Sequence, residues 1–211
     1  MHDELREAYL SEARTALLNL LRESLLTEVQ AALEGLPHVD RVCFRVKSLP
    51  SFLEKATDPT TRPPYSDPLV EIEDQVAGRV LVFFLSDVDF VEKCLLRTFT
   101  AVERTHKRPA KDEEFGYESR HLICNIPPPL KPPDWDGRRD LPPTFELQIR
   151  TLFMHAYAEP QHDLAYKGPR ELPPGIRREL AWIAASSWGA DQAYARVCDW
   201  TRGVRVGSPE E

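Results

Sequence analysis

The chain lacks paired cysteines, long apolar runs, an excess of positive charge and any internal repeat. Its four cysteines, Cys43, Cys94, Cys124 and Cys198, stand alone in sequence. That spacing excludes a disulfide framework or a Cys-based zinc site and predicts reduced, mostly buried thiols in a cytosolic protein. No apolar segment approaches the ~20 residues of a membrane-spanning helix. The start, Met1 to Glu12, is acidic and helical in pattern rather than a signal peptide. Lys and Arg total 27 against 34 Asp and Glu, a net charge of −7. A generic nucleic-acid coat runs on the opposite balance, although a local basic site remains open.

The chain's 211 residues, 42% of them apolar, suffice for one large domain, or a domain with helical extensions. Asp3 to Leu33 predicts one long amphipathic helix with an apolar stripe of Leu10, Ala13, Leu17, Leu20, Leu21, Leu25 and Val29, ended by Gly35 and Pro37. Val39 to Val46 reads as a strand, and Ser48 as the N-cap of a helix to Ala56. Asp58 to Pro68 reads as a loop, Val76 to Leu85 as an interior strand, and Asp87 as the cap of a helix from Val88 to Arg97. Strands are expected at Phe99 to Arg104 and Arg120 to Ile126, then a proline-rich loop from Pro127 to Pro143. Leu152 to Tyr166 is helical with Pro160 interrupting it, and a last helix runs from about Arg177 to Trp200. This order predicts an α+β layer, helices on a mixed sheet.

The segment from Phe145 to Thr151 alternates Phe145, Leu147 and Ile149 with Glu146, Gln148 and Arg150. Period-two alternation predicts a half-buried strand with an acid, an amide and a guanidinium in a row. That row could serve a metal, a base edge and a phosphate, while a solvated sheet face would use similar residues. Arg45, Lys47, Ser48, Ser51 and Lys55 gather at a strand-to-helix junction, where cations and a helix N-terminus could hold a polyphosphate. A solvated basic edge is the alternative. Asp74 stands at the mouth of the apolar strand, within reach of a hard cation. Arg79 sits beside Val80, Leu81 and Val82 and needs a partner or a ligand; an Asp74–Arg79 pair would provide one.

Gly116 permits a turn, and Tyr117 after it offers a stacking surface for a base. His121 enters the next strand, and His106, Lys107, Arg108 and Lys111 form a local basic patch. His155 and His162 share one face of their helix but lack a zinc spacing. No Ser-His-Asp or Cys-His arrangement is evident.

Taken in order, RVKSLPSFLEK, DQVAGRV, GYESRH, FELQIRT and HAYAEPQHDLAYK, which closes on His162, Tyr166 and Lys167, resemble the synthetase domain of RelA/SpoT alarmone synthetases. The similarity runs from about Val39 to Lys167 and is that of a small stand-alone synthetase, without a hydrolase or regulatory domain. It implies a nucleotidyltransferase-like core over residues 37–170, between an N-terminal helix (1–36) and a C-terminal helical segment (171–211). The implied reaction transfers the β,γ-pyrophosphate of ATP to the ribose 3′-hydroxyl of GDP or GTP. By the same resemblance Arg45 and Arg79 sandwich adenine, and Lys47 and Lys55, with Ser51 beside them, hold phosphates. Asp74 and Glu146 bind Mg²⁺, with Glu146 also the base. Tyr117 stacks on the acceptor base, His121 lies near its phosphates, and Gln148 and Arg150 lie near the acceptor.

The chain departs from the family where Lys111-Asp112-Glu113-Glu114-Phe115 leads into the Gly-Tyr motif, since acids there repel a diphosphate unless Lys107, Arg108 or Lys111 offsets them. Pro160 replaces a usual aliphatic position. Two further readings follow: a toxic relative that pyrophosphorylates the tRNA 3′ end or makes adenosine alarmones, with an antitoxin or phage-defence partner, and an inactive nucleotide sensor. The terminal helices would either join copies into a homo-oligomer or pack back on the chain.

Overall fold

A computed structural model describes residues 2–60, 64–111, 114–167 and 172–202, and their side chains other than those of residues 2, 162, 163 and 165–167. Two helices open the chain, α1 (His2–Tyr9) and α2 (Glu12–Ala32). Then come β1 (Val39–Val46), α3 (Leu49–Ala56), the one-turn α4 (Pro68–Glu71), β2 (Val76–Val82) and α5 (Leu85–Thr98). β3 (Ala101–Lys107), β4 (Ser119–Asn125), β5 (Thr144–Thr151), α6 (Leu152–Lys167) and α7 (Pro174–Thr201) complete it. The expected α+β architecture is present: a five-stranded sheet in the order β1-β2-β5-β4-β3. β2 and β5 are parallel; the other three pairings are antiparallel.

One face of the sheet carries the main core. Leu18, Leu21, Leu25 and Val29 of α2 and Val91 and Leu95 of α5 pack with Val76, Val80, Val82, Phe145, Leu147 and Ile149. Each such side chain contributes roughly 1.5–3 kcal/mol relative to exposure. Phe44 of β1 crosses Gly78 of β2 in register, and its ring fills the place of a side chain there: a Cβ on Gly78 would lie 2.4 Å from the ring tip. The glycine of the DQVAGRV motif therefore marks a close approach.

Several expectations are corrected. The N-terminal helix is two helices, because Ser11 adopts φ −55° and ψ 134° and starts α2 afresh. Leu10 and Leu20, expected in the buried stripe, are exposed, and the buried stripe instead begins with Arg14. Asp87 does not cap α5 from outside. It lies in the first turn, where its carboxylate accepts from the Phe84 amide at 3.2 Å. α6 runs through Pro160. β5 is not half-buried, since Glu146 and Arg150 are buried with its apolar face: a central strand has both faces covered. The cysteines are free as expected, yet only Cys124 is buried and Cys43 is exposed.

Candidate active site

The far face of the central strands carries the chemistry. In the β2–β5 register Ala77 pairs with Glu146 and Arg79 with Gln148. His121 on β4 pairs with Gln148, and Arg45 on β1 with Ala77. Alternation along each strand then sends Arg79, Glu146, Gln148, Arg150 and His121 to one side. Asp74 lies just before β2, with its carboxylate inside the field of Glu146.

Asp74 is clasped by two ammonium groups. Lys47 Nζ is 2.5 Å from Oδ2 and Lys55 Nζ is 2.9 Å from Oδ1. Local structure puts them there: Ser48 caps α3, accepting from the Ser51 amide at 3.4 Å, and the helix then brings Lys55 back over the end of β2. Burial works against charge on Asp74, but Lys47 and Lys55 outweigh it and hold the carboxyl below its ordinary range. Burial opposes charge on Lys55 too, and Asp74 overrides it, so its ammonium is raised. Arg45, Lys47, Ser51 and Lys55 line one wall of an open cavity of about 600 Å³.

Glu146 lies at the centre of a second network. His121 Nδ1 is 2.6 Å from Oε1, and Gln148 Nε2 donates to Oε2 at 2.8 Å. Tyr117 Oη meets His121 Nε2 at 2.9 Å, Arg150 donates to Gln148 Oε1, and the Arg150 guanidinium lies 5.1 Å from the Tyr117 ring centre. Burial pushes the Glu146 carboxyl up, but the bonds from His121 and Gln148 prevail and leave it below its usual range. Burial raises the Tyr117 phenol. Arg45, Arg79, Tyr117, Gln148 and Arg150 share a cavity of about 320 Å³ with Ala158, Glu159 and Gln161 of α6.

Most of the expected site residues thus meet. Arg79 is not paired with Asp74; its Nη1 lies 2.7 and 2.5 Å from the two oxygens of Glu159, a residue the sequence reading passed over. Lys107, Arg108 and Lys111 are exposed and do not line the Tyr117 cavity. Lys111 instead pairs with Glu114 at 3.3 Å. Asp112 and Glu113, and the side chains of His162, Tyr166 and Lys167, lie outside the described residues. His155 is 3.6 Å from Glu159, and burial lowers its pKa.

Arg14 and Tyr9 were also missed. Arg14 is fully buried; it donates to Gln75 Oε1 and, through Nε, to the Asp140 carbonyl at 2.9 Å. Gln75, also fully buried, in turn donates to the carbonyls of Leu69 and Ile72, both at 2.8 Å. The residue after Asp74 is therefore pinned between α2 and the α4 turn. Tyr9 stacks on Phe52 at 3.9 Å and donates to the Lys47 carbonyl at 2.7 Å. The available signal was a lone arginine four residues before Leu18, in phase with the stripe.

The five-stranded mixed sheet with flanking helices, with cations about one carboxylate and Tyr117 and His121 beside the other, defines an α+β protein with a polar site on one sheet face. The region found in RelA/SpoT proteins matches residues 44–171. The chain belongs to the RelA/SpoT family. It is 30% identical over 164 residues to GTP pyrophosphokinase YjbM of Bacillus subtilis (strain 168), an alignment spanning 75% of this chain and 72% of that protein. Small alarmone synthetase 1 of Bacillus subtilis shares the fold, with a TM-score of 0.71 at 24% identity, over 93% of this chain and 97% of that one. The same enzyme bound to its product pppGpp superposes with a TM-score of 0.72 at 23% identity, over 90% and 97% of the two chains. A GTP pyrophosphokinase family protein of Streptococcus pneumoniae gives 0.68 at 22% identity, over 98% of each chain.

Proposed function

We propose that this chain is an ATP:nucleotide 3′-pyrophosphotransferase, making guanosine tetra- or pentaphosphate from GDP or GTP with release of AMP. The observation that carries this reading is the position of Glu146. It lies between Asp74, set among the cations of the polyphosphate cavity, and Tyr117 through His121.

Arg45 and Arg79 hold the adenine of ATP, and Lys47, Lys55 and Ser51 its phosphates. Tyr117 stacks on the acceptor base, with His121, Gln148 and Arg150 beside it. The acceptor 3′-oxygen attacks the β-phosphorus and the bond from that phosphorus to the α-phosphate oxygen breaks. AMP leaves with the electron pair, and the hydroxyl proton passes to Glu146. A base so placed contributes ~10²–10⁴-fold. Alignment and neutralisation of phosphate charge supply much of the rest.

Asp74 and Glu146 fit a hard divalent cation, which we assign as Mg²⁺. Both offer carboxylate oxygens, and Asp74 already sits in a cation-binding role toward two lysines. Among the described residues no cluster of three or more His, Cys, Asp or Glu forms a metal cage, so the remaining ligands would be water and substrate phosphates, the usual mode for magnesium. Bound there, the ion supplies neutralisation of phosphate charge.

A second reading keeps the donor and changes the acceptor to the tRNA 3′ end or an adenine nucleotide, with an antitoxin as partner. It is favoured by the exposure of Lys107 and Arg108 outside the Tyr117 cavity, where a larger acceptor could meet them. An inactive sensor is disfavoured by the presence of both carboxylates. Self-association is assigned to α7, where Trp182, Val197 and Trp200 are exposed. A cytoplasmic site of action belongs to the same proposal; no helix among the described residues is long and apolar enough to cross a membrane.

Incubation with γ-labelled ATP and each of GDP, GTP, an adenine nucleotide and tRNA tests these readings. Label in a guanine nucleotide supports the first. Label only on tRNA or an adenine nucleotide moves the assignment to the second, and absence of transfer supports a sensor.

A further inference from the structure

Arg150 is a buried cation with 4% of its surface exposed, and among the described residues it forms no ion pair. Such a charge is costly to keep, and burial lowers its pKa. What it does touch is specific. Its guanidinium lies over the Tyr117 ring, and it donates to Gln148 Oε1.

The donor and acceptor roles then follow along the chain of contacts. Arginine has no acceptor atom, so the Gln148 atom facing it must be the carbonyl oxygen. The amide nitrogen is thereby turned to Glu146 Oε2, which accepts at 2.8 Å. On the other side His121 bridges the two residues, its Nδ1 2.6 Å from Glu146 Oε1 and its Nε2 2.9 Å from Tyr117 Oη. Both arms point inward, from Arg150 through Gln148 and from Tyr117 through His121, and both end on Glu146. The outer ends of the two arms rest on each other, because Arg150 lies against the Tyr117 ring.

We infer that Arg150 is a positioning residue that locks the acceptor platform Tyr117 and the carboxylate Glu146 into one closed ring, fixing the Gln148 amide as a donor to Glu146. This deepens the proposed reading and rests on it for the identity of the acceptor. Without Arg150 the Gln148 amide is free to flip and present its oxygen to the carboxylate, and the Tyr117 ring loses the cation that holds one of its faces. A base stacked on Tyr117 is then less well placed, and Glu146 loses a donor as well. Among the described residues no hydrogen bond or ion pair joins Arg150 to Arg45, Arg79, Lys47 or Lys55 of the ATP side, although it shares the Tyr117 cavity with Arg45 and Arg79.

The test uses the full-length chain with Arg150→Met, Arg150→Lys, Gln148→Leu and the double variant Arg150→Met/Gln148→Leu, with melting curves to confirm folding. Two quantities are read: turnover, and the Kd for the acceptor nucleotide and for a non-hydrolysable ATP analogue, measured by calorimetry. Arg150→Met is expected to lower kcat ~10–100-fold and weaken acceptor binding ~3–10-fold, with ATP-analogue affinity within twofold. Arg150→Lys, which keeps a donor for Gln148 without the planar fork, should recover part of kcat. The double variant should be no slower than the slower single variant, since both act through one link.

Multiplicative losses in the double variant, or equal weakening of ATP-analogue and acceptor binding, overturn the inference. Should Arg150→Met not fold, the Arg150→Lys and Gln148→Leu pair carries the same comparison. Should the wild-type chain transfer label to no acceptor, the proposed reaction fails while the binding arm still decides the role of Arg150, by whether its substitution changes guanine-nucleotide affinity alone.

Discussion

Lys47 Nζ lies 2.5 Å from Asp74 Oδ2, so a cation assigned to the donor phosphates and a carboxylate assigned to the metal form one ion pair. On the proposed assignments a magnesium–triphosphate would exchange these partners, the carboxylate of Asp74 holding the ion and Lys47 and Lys55 the phosphates. Asp74→Asn should abolish most turnover, by ~10²-fold or more, while leaving metal-free ATP analogue bound as well or better. The pair also predicts a pH dependence. A carboxyl held below its ordinary range stabilises the fold fully above about pH 4, and that contribution is lost as pH falls through the folded value. Lys55, raised in the fold, stabilises up to about pH 10 and loses this as pH climbs past its folded value. Melting temperatures of Asp74→Asn across acid pH should fall less steeply than those of wild type; an unchanged slope would show that the pair contributes nothing to stability.

Glu159 holds Arg79 through both carboxylate oxygens and so competes with the adenine assigned to that guanidinium. An exposed pair of this kind is worth roughly 0.2–1 kcal/mol. Glu159→Gln should therefore tighten binding of an ATP analogue about 1.5–5-fold, by calorimetry, with acceptor affinity unchanged. Weaker analogue binding would mean that Glu159 orients Arg79 rather than blocking it.

Gly78→Ala sets a Cβ 2.4 Å from the buried Phe44 ring. Overpacking of this sort costs about 1–3 kcal/mol, seen as a lower urea midpoint. Phe44→Leu in the same chain should recover part of the loss. A neutral result for Gly78→Ala alone would mean that the ring moves aside freely.

Asp191 of α7 is buried and accepts from Thr151 Oγ1 at 2.6 Å. Burial pushes its carboxyl up to about 6. The native state thus keeps a proton that the unfolded chain gives up near pH 4, and stability falls as pH rises from about 4 to about 6. Asp191→Asn keeps an oxygen for Thr151 and removes that loss. It should raise stability by about 1–3 kcal/mol at pH 8 and by much less at pH 4, as read from urea unfolding at the two values. Equal effects at both would exclude the titration.

Much of this was legible before folding. Ser48 announced a helix start, and a cap does bring Lys55 over Asp74. The alternation in β5 announced a strand with Glu146, Gln148 and Arg150 on one side. It could not announce that polar residues would be buried, because burial of a central strand depends on what covers its second face. Arg14 stood in phase with the stripe, but a charge in a helical stripe gains its meaning only through a distant partner, here Gln75. The pairing of Arg79 with Glu159 escaped likewise, since eighty residues separate them. The break between α1 and α2 turns on one residue, Ser11, whose backbone leaves the helical region (φ −55°, ψ 134°) within an otherwise uninterrupted helical pattern.

In the order β1-β2-β5-β4-β3, the last strand made occupies the middle. Without it the remaining strands make only two separate pairs, β1 with β2 and β3 with β4, each with an open edge facing the place of β5. Insertion of β5 seals both edges in one event and carries Glu146 alongside Ala77 in that same event. The strand that completes the sheet is thus also the one that completes the site, while β1 and β3 remain the outer edges.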